Sequence, residues 1–259
     1  MASYYVDTNV LVGYTFLHNR WQDHTRRLMA SENTLYAGAT VFYEYCVNVG
    51  HGPRDGEPLD WSREDGVVGK EKRKLRKRKR FTYLELKTKD EDELDPDTVS
   101  DVFIEKFEVE DQIKHKVENY FQKELDQDCT LDSVEDSLNK LINRINSTAI
   151  DRKNEIQKRV KIRRRQDDKD YSTPCSQMSR IIDGNEDEYC PDAEVLVDAM
   201  DLKDRFLTDT VVTSDKGDMI SNRDKLEPIT RLNLVYLKNK FANEDPKIDE
   251  EIPMDQDSN

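Results

Sequence analysis

The stretch SYYVDTNVLVGYT at residues 3–15 decides the fold that the sequence predicts. SYYV is a short β-prone run, and the acidic residue Asp7 follows it directly. Thr8 and Asn9 have side chains that cap helix starts, and the apolar residues after them predict a helix. A strand that leads directly into a helix is typical of an α/β sheet with parallel strands.

The same alternation extends to residue 50 and returns after residue 176. The first region predicts a helix, a strand and a helix, at WQDHTRRLMAS (21–31), TLYAG (34–38) and TVFYEYCVNV (40–49). The second predicts a helix, a strand, a helix and a last strand, at PDAEVLVDAMDLKDRF (191–206), TVVTSD (210–215), KGDMISNRDKL (216–226) and LNLVYL (232–237). Residues 1–52 and 176–242 are therefore expected to form two halves of one α/β domain with a central parallel sheet.

Residues 53–175 differ in texture and predict a long, charged, mostly helical insertion. Gly and Pro in residues 50–58 break the α/β pattern. FTYLELK (81–87) predicts a short strand. Apolar residues at helical spacing from Ile113 to Leu125 and from Val134 to Val160 predict an antiparallel pair of helices. Their apolar stripe is expected to form the core of the pair or a homodimer contact. The acidic residues 243–259 predict a disordered tail.

Composition limits the classes of function open to the chain. Its 259 residues carry a net charge of −14, which argues against binding of polyanions over the whole surface. The four cysteines are widely spaced with no C-x-x-C pair, which argues against a zinc ribbon or a disulfide framework. The longest uncharged stretch, residues 8–19, is too short to span a bilayer. We expect a soluble, cytoplasmic protein that makes no membrane contact.

Acidic residues stand where the predicted strands end and helices begin. Asp7 follows the first strand, Asp215 follows VVTS, Asp192 opens a helix, and Glu44 lies one turn into the helix after TLYAG. In open parallel sheets, ligands bind beyond the carboxyl ends of the strands, so these side chains can converge on one pocket. Clustered carboxylates repel one another unless a cation is present, and Mg²⁺ and Mn²⁺ prefer oxygen ligands.

This order of motifs resembles the PIN-domain family of metal-dependent ribonucleases. YYVDTNVLVG (4–13) is similar to that family's first motif, DAEVLVDAM (192–200) to the third and VVTSDKGDM (211–219) to the fourth. The helix that carries Glu44 stands where the family has its second acid. The insertion is much longer than the family usually carries.

The resemblance implies a PIN-like three-layer α/β fold and a metal-dependent endoribonuclease that uses Mg²⁺ or Mn²⁺ to activate water. Its catalytic and metal-binding acids would be Asp7, Glu44, Asp192 and Asp215, with Asp218 as a further metal ligand. Asn9 and Ser214 would hold Asp7 and the attacking water in place. Glu194 and Asp198 share a helix with Asp192 and are alternatives to it.

Two basic islands in this acidic chain, KEKRKLRKRKR (70–80) and KRVKIRRR (158–165), predict contacts with RNA phosphates. The residues assigned to RNA are Lys72, Arg73, Lys74, Arg76, Lys77, Arg78, Arg163, Arg164 and Arg165. Phe81 and Tyr83 follow the first island and could stack on unpaired bases, which favours a single-stranded RNA partner. The competing interpretation is a solvated helical surface or a contact with an acidic protein.

Other functions are weaker alternatives. A haloacid-dehalogenase phosphatase would need an acid where this chain has Asn9, and an NTPase would need a Walker-type glycine loop. A nuclease for structured DNA uses related carboxylate chemistry and stays open. So do a non-catalytic RNA-binding or scaffold protein that retains the fold, and a toxin paired with an antitoxin.

Overall fold

The computed structural model describes residues 1–17, 19, 22–48, 57–90, 93–109, 111–126, 129–166, 169–184 and 189–241. The predicted acidic tail and most of the Gly- and Pro-containing segment at 50–58 lie outside these described residues.

The described residues form five strands and eleven α-helices. The strands are β1 (Ser3–Val6), β2 (Thr34–Gly38), β3 (Val160–Arg163), β4 (Thr210–Thr213) and β5 (Asn233–Tyr236). The helices are α1 (Thr8–Thr15), α2 (Gln22–Ala30), α3 (Ala39–Cys46), α4 (Val67–Leu86), α5 (Pro96–Phe107), α6 (Asp111–Glu124), α7 (Leu131–Arg159), α8 (Ser172–Ile182), α9 (Pro191–Asp204), α10 (Arg223–Thr230) and α11 (Leu237–Lys240). A π-helical turn at Lys216–Ile220 follows β4.

The five strands pair in parallel in the order β3-β2-β1-β4-β5. The chain therefore builds the sheet in one direction from β1 to β3 and in the other direction from β4 to β5. Right-handed crossovers in opposite directions place helices on both faces of a sheet, which agrees with a three-layer α/β arrangement. The α/β class and the parallel sheet predicted from the sequence are confirmed.

The β-α-α-β-α order predicted for the N-terminal region is confirmed by β1, α1, α2, β2 and α3. β1 ends at Val6 because the Asp7 carboxylate caps the next helix, accepting a hydrogen bond from the backbone N–H of Thr8. Both β1 and β2 are almost fully buried, as strands covered on both faces must be. The predicted C-terminal elements are likewise present as α9, β4, α10 and β5.

Part of the predicted insertion belongs to the sheet. β3 lies within residues 53–175 and pairs with β2 from Leu35↔Val160 to Gly38↔Arg163. The prediction of a mostly helical segment missed this strand because β3 is short and directly follows α7. The predicted strand at 81–87 is wrong: it forms the end of α4, whose buried positions Leu75, Thr82 and Leu86 continue at helical spacing.

The two predicted helices are present as α6 and α7, joined where the sequence predicted a break, but α6 packs mainly against α5, and α7 mainly against α4 and α1. The Tyr120 hydroxyl on α6 donates to the Ser137 carbonyl on α7 at 3.0 Å. Val134, Leu138 and Ile145 are buried within the single chain, so the apolar stripe of α7 belongs to the protein's own core. No helix in the described part of the chain has the length and apolar content required to cross a membrane.

Candidate active site

The acids predicted to act together lie beyond the carboxyl ends of β1 and β4. These two strands are neighbours, paired at Tyr5↔Val211 and Val6↔Val212, and the order of the sheet reverses between them. When the connections after two neighbouring strands leave toward opposite faces of an open α/β sheet, a crevice forms between them. Ligands of such sheets bind in that crevice. Asp7 directly follows β1, and Asp215 lies two residues after the end of β4.

Hydrogen bonds orient the Asp7 carboxylate beyond the end of β1, where only 1% of the residue is exposed. Oδ1 accepts from the backbone N–H of Thr8 at 2.6 Å, and Oδ2 accepts from the Thr213 hydroxyl at 2.8 Å. The Thr8 hydroxyl donates to Glu44 Oε2 at 2.6 Å, so Thr8 links Asp7, at the start of α1, to Glu44 on α3. Two of the predicted acids are thus brought together through one threonine.

Three further predicted acids form the outer part of the crevice. Asp192, Asp215 and Asp218 each offer a carboxylate oxygen, and these oxygens lie within 4.8 Å of one another. Asp192 projects from the first turn of α9, after Pro191. Asp215 Oδ1 accepts from the backbone N–H groups of Gly217 at 2.8 Å and Asp218 at 3.0 Å, which fixes the π-helical turn that carries Asp218. These three side chains could hold a cation, and with Asp7 and Glu44 they are named the carboxylate cluster.

Four of the five acids in the carboxylate cluster have raised pKa values, because they are buried or lie close to other acids. Burial raises the pKa of Asp7 to about 7, and the charge of Glu44 adds to the effect. Burial, followed by the charge of Asp7, raises the pKa of Asp192 to about 8. The pKa of Glu44 is raised by burial, and that of Asp218 by burial and by Asp215. A site with oxygen donors alone and mutual repulsion of this kind fits a hard divalent cation such as Mg²⁺ or Mn²⁺.

The alternative acids on α9 are occupied elsewhere. Arg165 donates from Nε to Asp198 Oδ1 and from Nη2 to Glu194 Oε2, each at 2.5 Å. Asp198 Oδ2 also accepts from the backbone N–H of Thr40 at 3.0 Å. Because both acids are ion-paired with Arg165, Asp192 is the α9 acid that joins the carboxylate cluster.

The residues that hold the Asp7 carboxylate in place are not the ones predicted from the sequence. Asn9 is exposed on α1 and Ser214 is buried after β4, but the hydrogen bonds to the Asp7 carboxylate come from Thr8 and Thr213. Thr213 could have been found from the sequence only with the β1–β4 register, which places it beside Asp7.

Sequence reasoning also missed three residues around the carboxylate cluster. Asp183, at the end of α8, lies close enough to Asp218 to raise its pKa. Lys70, at the start of α4, acts on Glu44 in the opposite direction and lowers its pKa. Tyr189 lies near Glu44 and Glu194, which raise the pKa of its phenol after burial does so. No local motif marks any of the three, because each reaches the cluster from a distant element.

The first basic island is only partly available to RNA. Lys72 is 7% exposed and pairs with Glu64 at 2.5 Å, so in this structure its ammonium is not open to RNA. Lys74 pairs with Glu71 at 2.5 Å, and Arg78 pairs with Glu108 and donates to the Phe107 carbonyl. Among the described residues, no acidic partner lies within ion-pair distance of the three other assigned residues, Arg73, Arg76 and Lys77, and all three are exposed.

The three assigned residues of the second island, Arg163 to Arg165, lie at the carboxyl end of β3, at the same edge of the sheet as the carboxylate cluster. Arg163 is exposed there, and Arg164 donates to the Glu57 carbonyl while its own side chain stays exposed. The guanidinium of Arg165 is paired with Glu194 and Asp198, so in this structure its charge is already engaged by acids and not by an open surface for RNA. Phe81 is 47% exposed, whereas Tyr83 packs partly buried against the core.

The arrangement combines convergent carboxylates, a buried acid with a pKa near neutrality and exposed cations at the same edge of the sheet. No protein-family model, curated protein or solved structure matches this chain.

Proposed function

We propose that the protein is a metal-dependent endoribonuclease that hydrolyses phosphodiester bonds of RNA, with Mg²⁺ or Mn²⁺ held by the carboxylate cluster. The observation that carries this proposal is the convergence of acids from four separate parts of the chain at the point where the strand order reverses. Mutual repulsion among these acids lowers the stability of the fold. Binding of a substrate or a cation would explain why the protein keeps such a destabilising arrangement.

The residues of the site would have different roles, set by their environments. Asp192, Asp215 and Asp218 would hold the cation, which when bound polarises the phosphate and lowers the pKa of a bound water. The pKa of Asp7 is about 7 without metal and would fall beside a bound cation, so its carboxylate would be ionised and able to accept a proton from an attacking water. Thr8 and Thr213 keep that carboxylate in a single orientation, and Glu44 holds the Thr8 hydroxyl.

The resemblance of YYVDTNVLVG and VVTSDKGDM to PIN-domain motifs supports a PIN-like version of the three-layer fold and RNA as the substrate. Arg163 and Arg164 add positive charge at the edge of the sheet where the carboxylates lie. These cations would offset the repulsion between an acidic protein and a polyanion.

The test is cleavage of a labelled single-stranded RNA by the wild type and by Asp7→Asn, with Mg²⁺, with Mn²⁺ and with a chelator. Cleavage should require the metal and should fall by about 100-fold or more in Asp7→Asn, because the change removes a buried charge at the reacting site. Asp224→Asn is the matched control, since its side chain is 97% exposed on α10.

Equal cleavage by Asp7→Asn and the wild type would contradict the proposal, as would cleavage that persists in the chelator. Salt-sensitive RNA binding without any cleavage by the wild type would instead support a non-catalytic RNA-binding role.

A further inference from the structure

Helix α4 presents one face to solvent that the rest of the fold does not use. Its buried positions include Val68, Leu75, Thr82 and Leu86, which pack against the core. Residues three, four and seven positions apart share a helical face, so a second set lies together on the opposite side. That set is named the α4 track and consists of Lys70, Arg73, Lys77, Arg80, Phe81 and Leu84.

The cations of the α4 track form no ion pairs with described residues, although Lys70 lies near Glu44. Among the described residues, no acidic side chain lies within ion-pair distance of Lys70, Arg73, Lys77 or Arg80, and all four are exposed. Other cations of the same helix are paired, Lys72 with Glu64 and Lys74 with Glu71. In a chain with a net charge of −14, four neighbouring cations without such ion pairs form a local attraction for an anion.

Two apolar side chains lie on the same face. Phe81 is 47% exposed and Leu84 is 45% exposed. The Lys77 ammonium lies 5.5 Å from the centre of the Phe81 ring, so a cation and an open aromatic face are adjacent. Phe81 and Leu84 line a shallow depression together with Glu85, Thr88, Lys89 and Lys106, and Lys106 is paired there with Glu85. Aromatic rings set among cations along a groove are how proteins hold unpaired bases while contacting the backbone.

The α4 track begins beside the carboxylate cluster. The backbone N–H of Gly66, which precedes α4, donates to the Cys46 carbonyl at the end of α3 at 3.1 Å. Lys70 lies near enough to Glu44 to act on its carboxylate. From Lys70 to Phe81 the helix advances about 16 Å at 1.5 Å per residue. A strand held at the cluster can therefore continue along α4 for several nucleotides.

We propose that the α4 track binds a single strand of nucleic acid, with phosphates on Lys70, Arg73, Lys77 and Arg80 and an unpaired base stacked on Phe81. This inference rests on the proposed function and specifies its substrate. The substrate is a strand that extends beyond the cleavage site and has unpaired bases where it contacts α4. A duplex satisfies the charges but has no free base face to offer Phe81.

The test measures binding in the full-length Asp7→Asn protein, so that cleavage does not interfere. Fluorescence anisotropy would compare single-stranded RNA with duplex RNA of the same length over a range of salt concentrations. The triple variant Arg73→Gln, Lys77→Gln, Arg80→Gln should bind single strands at least about tenfold more weakly and flatten the log–log salt slope by about 2. The triple variant Lys225→Gln, Lys238→Gln, Lys240→Gln removes equal charge from α10 and α11 and should have a much smaller effect.

A second variant, Phe81→Leu, separates stacking from charge. It keeps an apolar side chain and should weaken single-strand binding about fivefold or more, leaving duplex binding and the salt slope unchanged. Equal effects of the two triple variants would overturn the α4 track, and so would unchanged single-strand binding by Phe81→Leu. A third outcome would favour an acidic protein partner and overturn the α4 track: an acidic polypeptide displaces RNA, and Phe81→Leu binds RNA as strongly as before.

The failure of this inference can be told from the failure of the proposed function. Binding along α4 by a wild type that does not cleave RNA would reject the nuclease and keep the track. If the wild type cleaves RNA but the α4 variants bind RNA normally, the nuclease proposal stands and the α4 track is rejected.

Discussion

At the scale of single residues, Asp7 combines complete burial with a negative charge. Its two oxygens accept from Thr8 and Thr213, and both hydrogen bonds lower its pKa. Burial and the neighbouring charge of Glu44 outweigh them, so the pKa is raised from 3.8 to about 7. The residue is thus held in one orientation while its charge stays costly, which is typical of a site built for a ligand.

This balance predicts a pH dependence of stability in the absence of metal. Between about pH 4 and pH 7 the folded protein holds a proton on Asp7 that the unfolded chain releases. The associated stability is complete below the unfolded pKa and is lost as the pH rises through the folded pKa. With a chelator present, Asp7→Asn should gain on the wild type by on the order of 1–3 kcal/mol between about pH 5 and pH 8.

Urea denaturation of both proteins at a series of pH values measures this difference. Added Mn²⁺ should then stabilise the wild type at about pH 8 more than it stabilises Asp7→Asn, since binding to the folded state alone shifts the unfolding equilibrium. A difference between the two proteins that is constant over the pH range would show that Asp7 does not titrate as described.

At the scale of elements, the position of α3 is set by contacts from α9 and from the segment after β3. Gly38 precedes α3 and has no side chain to cap it, so Asp198 on α9 accepts from the Thr40 N–H instead. Arg165 balances the charge of Asp198, which is 3% exposed. Because Glu44 lies on α3, this buried contact also sets where Glu44 meets Thr8.

Gly38→Ala should therefore disturb both stability and the site. An added Cβ would lie 2.0 Å from Asp198 Oδ2 and 2.5 Å from its Cβ, and neither atom belongs to a mobile chain end. We expect a loss of about 1–3 kcal/mol and reduced cleavage, because α3 and Asp198 must move apart. Urea denaturation and the RNA cleavage assay measure the two effects.

Gly217→Ala is the matched control for stability. Its added Cβ would approach no closer than 3.6 Å to Asp215 Oδ1, an ordinary van der Waals distance. If both alanine variants unfolded at the same urea concentration, close packing of Gly38 on Asp198 would not be the reason for glycine at that position.

At the scale of the whole molecule, the helical part and the sheet share one core. α7 runs directly into β3, and β3 closes the sheet beside β2. Val160 is 4% exposed at this junction, and the next residue, Lys161, is exposed with its ammonium 5.7 Å from the centre of the Tyr36 ring. The division into two half-domains and an insertion stays a prediction, but residues inside the predicted insertion complete the sheet.

Substitutions at this junction test whether β3 contributes to stability. Val160→Asp should destabilise the whole protein by about 3 kcal/mol or more, because it places an unpaired charge in the core. Lys161→Gln, one residue further along the strand and on the opposite face, should cost less than about 1 kcal/mol. Similar unfolding midpoints for the two variants in urea would show that β3 is dispensable to the sheet.

The local signals in the sequence determined the α/β class, the order of most elements and the positions of the acids. Capping residues, apolar spacing and strand-forming runs act over a few neighbouring residues, so they can be recognised without knowing the fold. Asp7, Asp192 and Asp215 stand at the ends or starts of such elements, and a parallel sheet brings positions of this kind to one edge.

Only the tertiary structure decided which charges are free and which are paired. Arg165 looks like its neighbour Arg164 in the sequence, yet Arg165 is paired with Glu194 and Asp198 while the side chain of Arg164 stays exposed. The support of Asp7 by Thr213 and the place of β3 in the sheet depend equally on strand register. These features come from contacts between distant parts of the chain, and the free energy of a charge depends on the burial and partners that such contacts create.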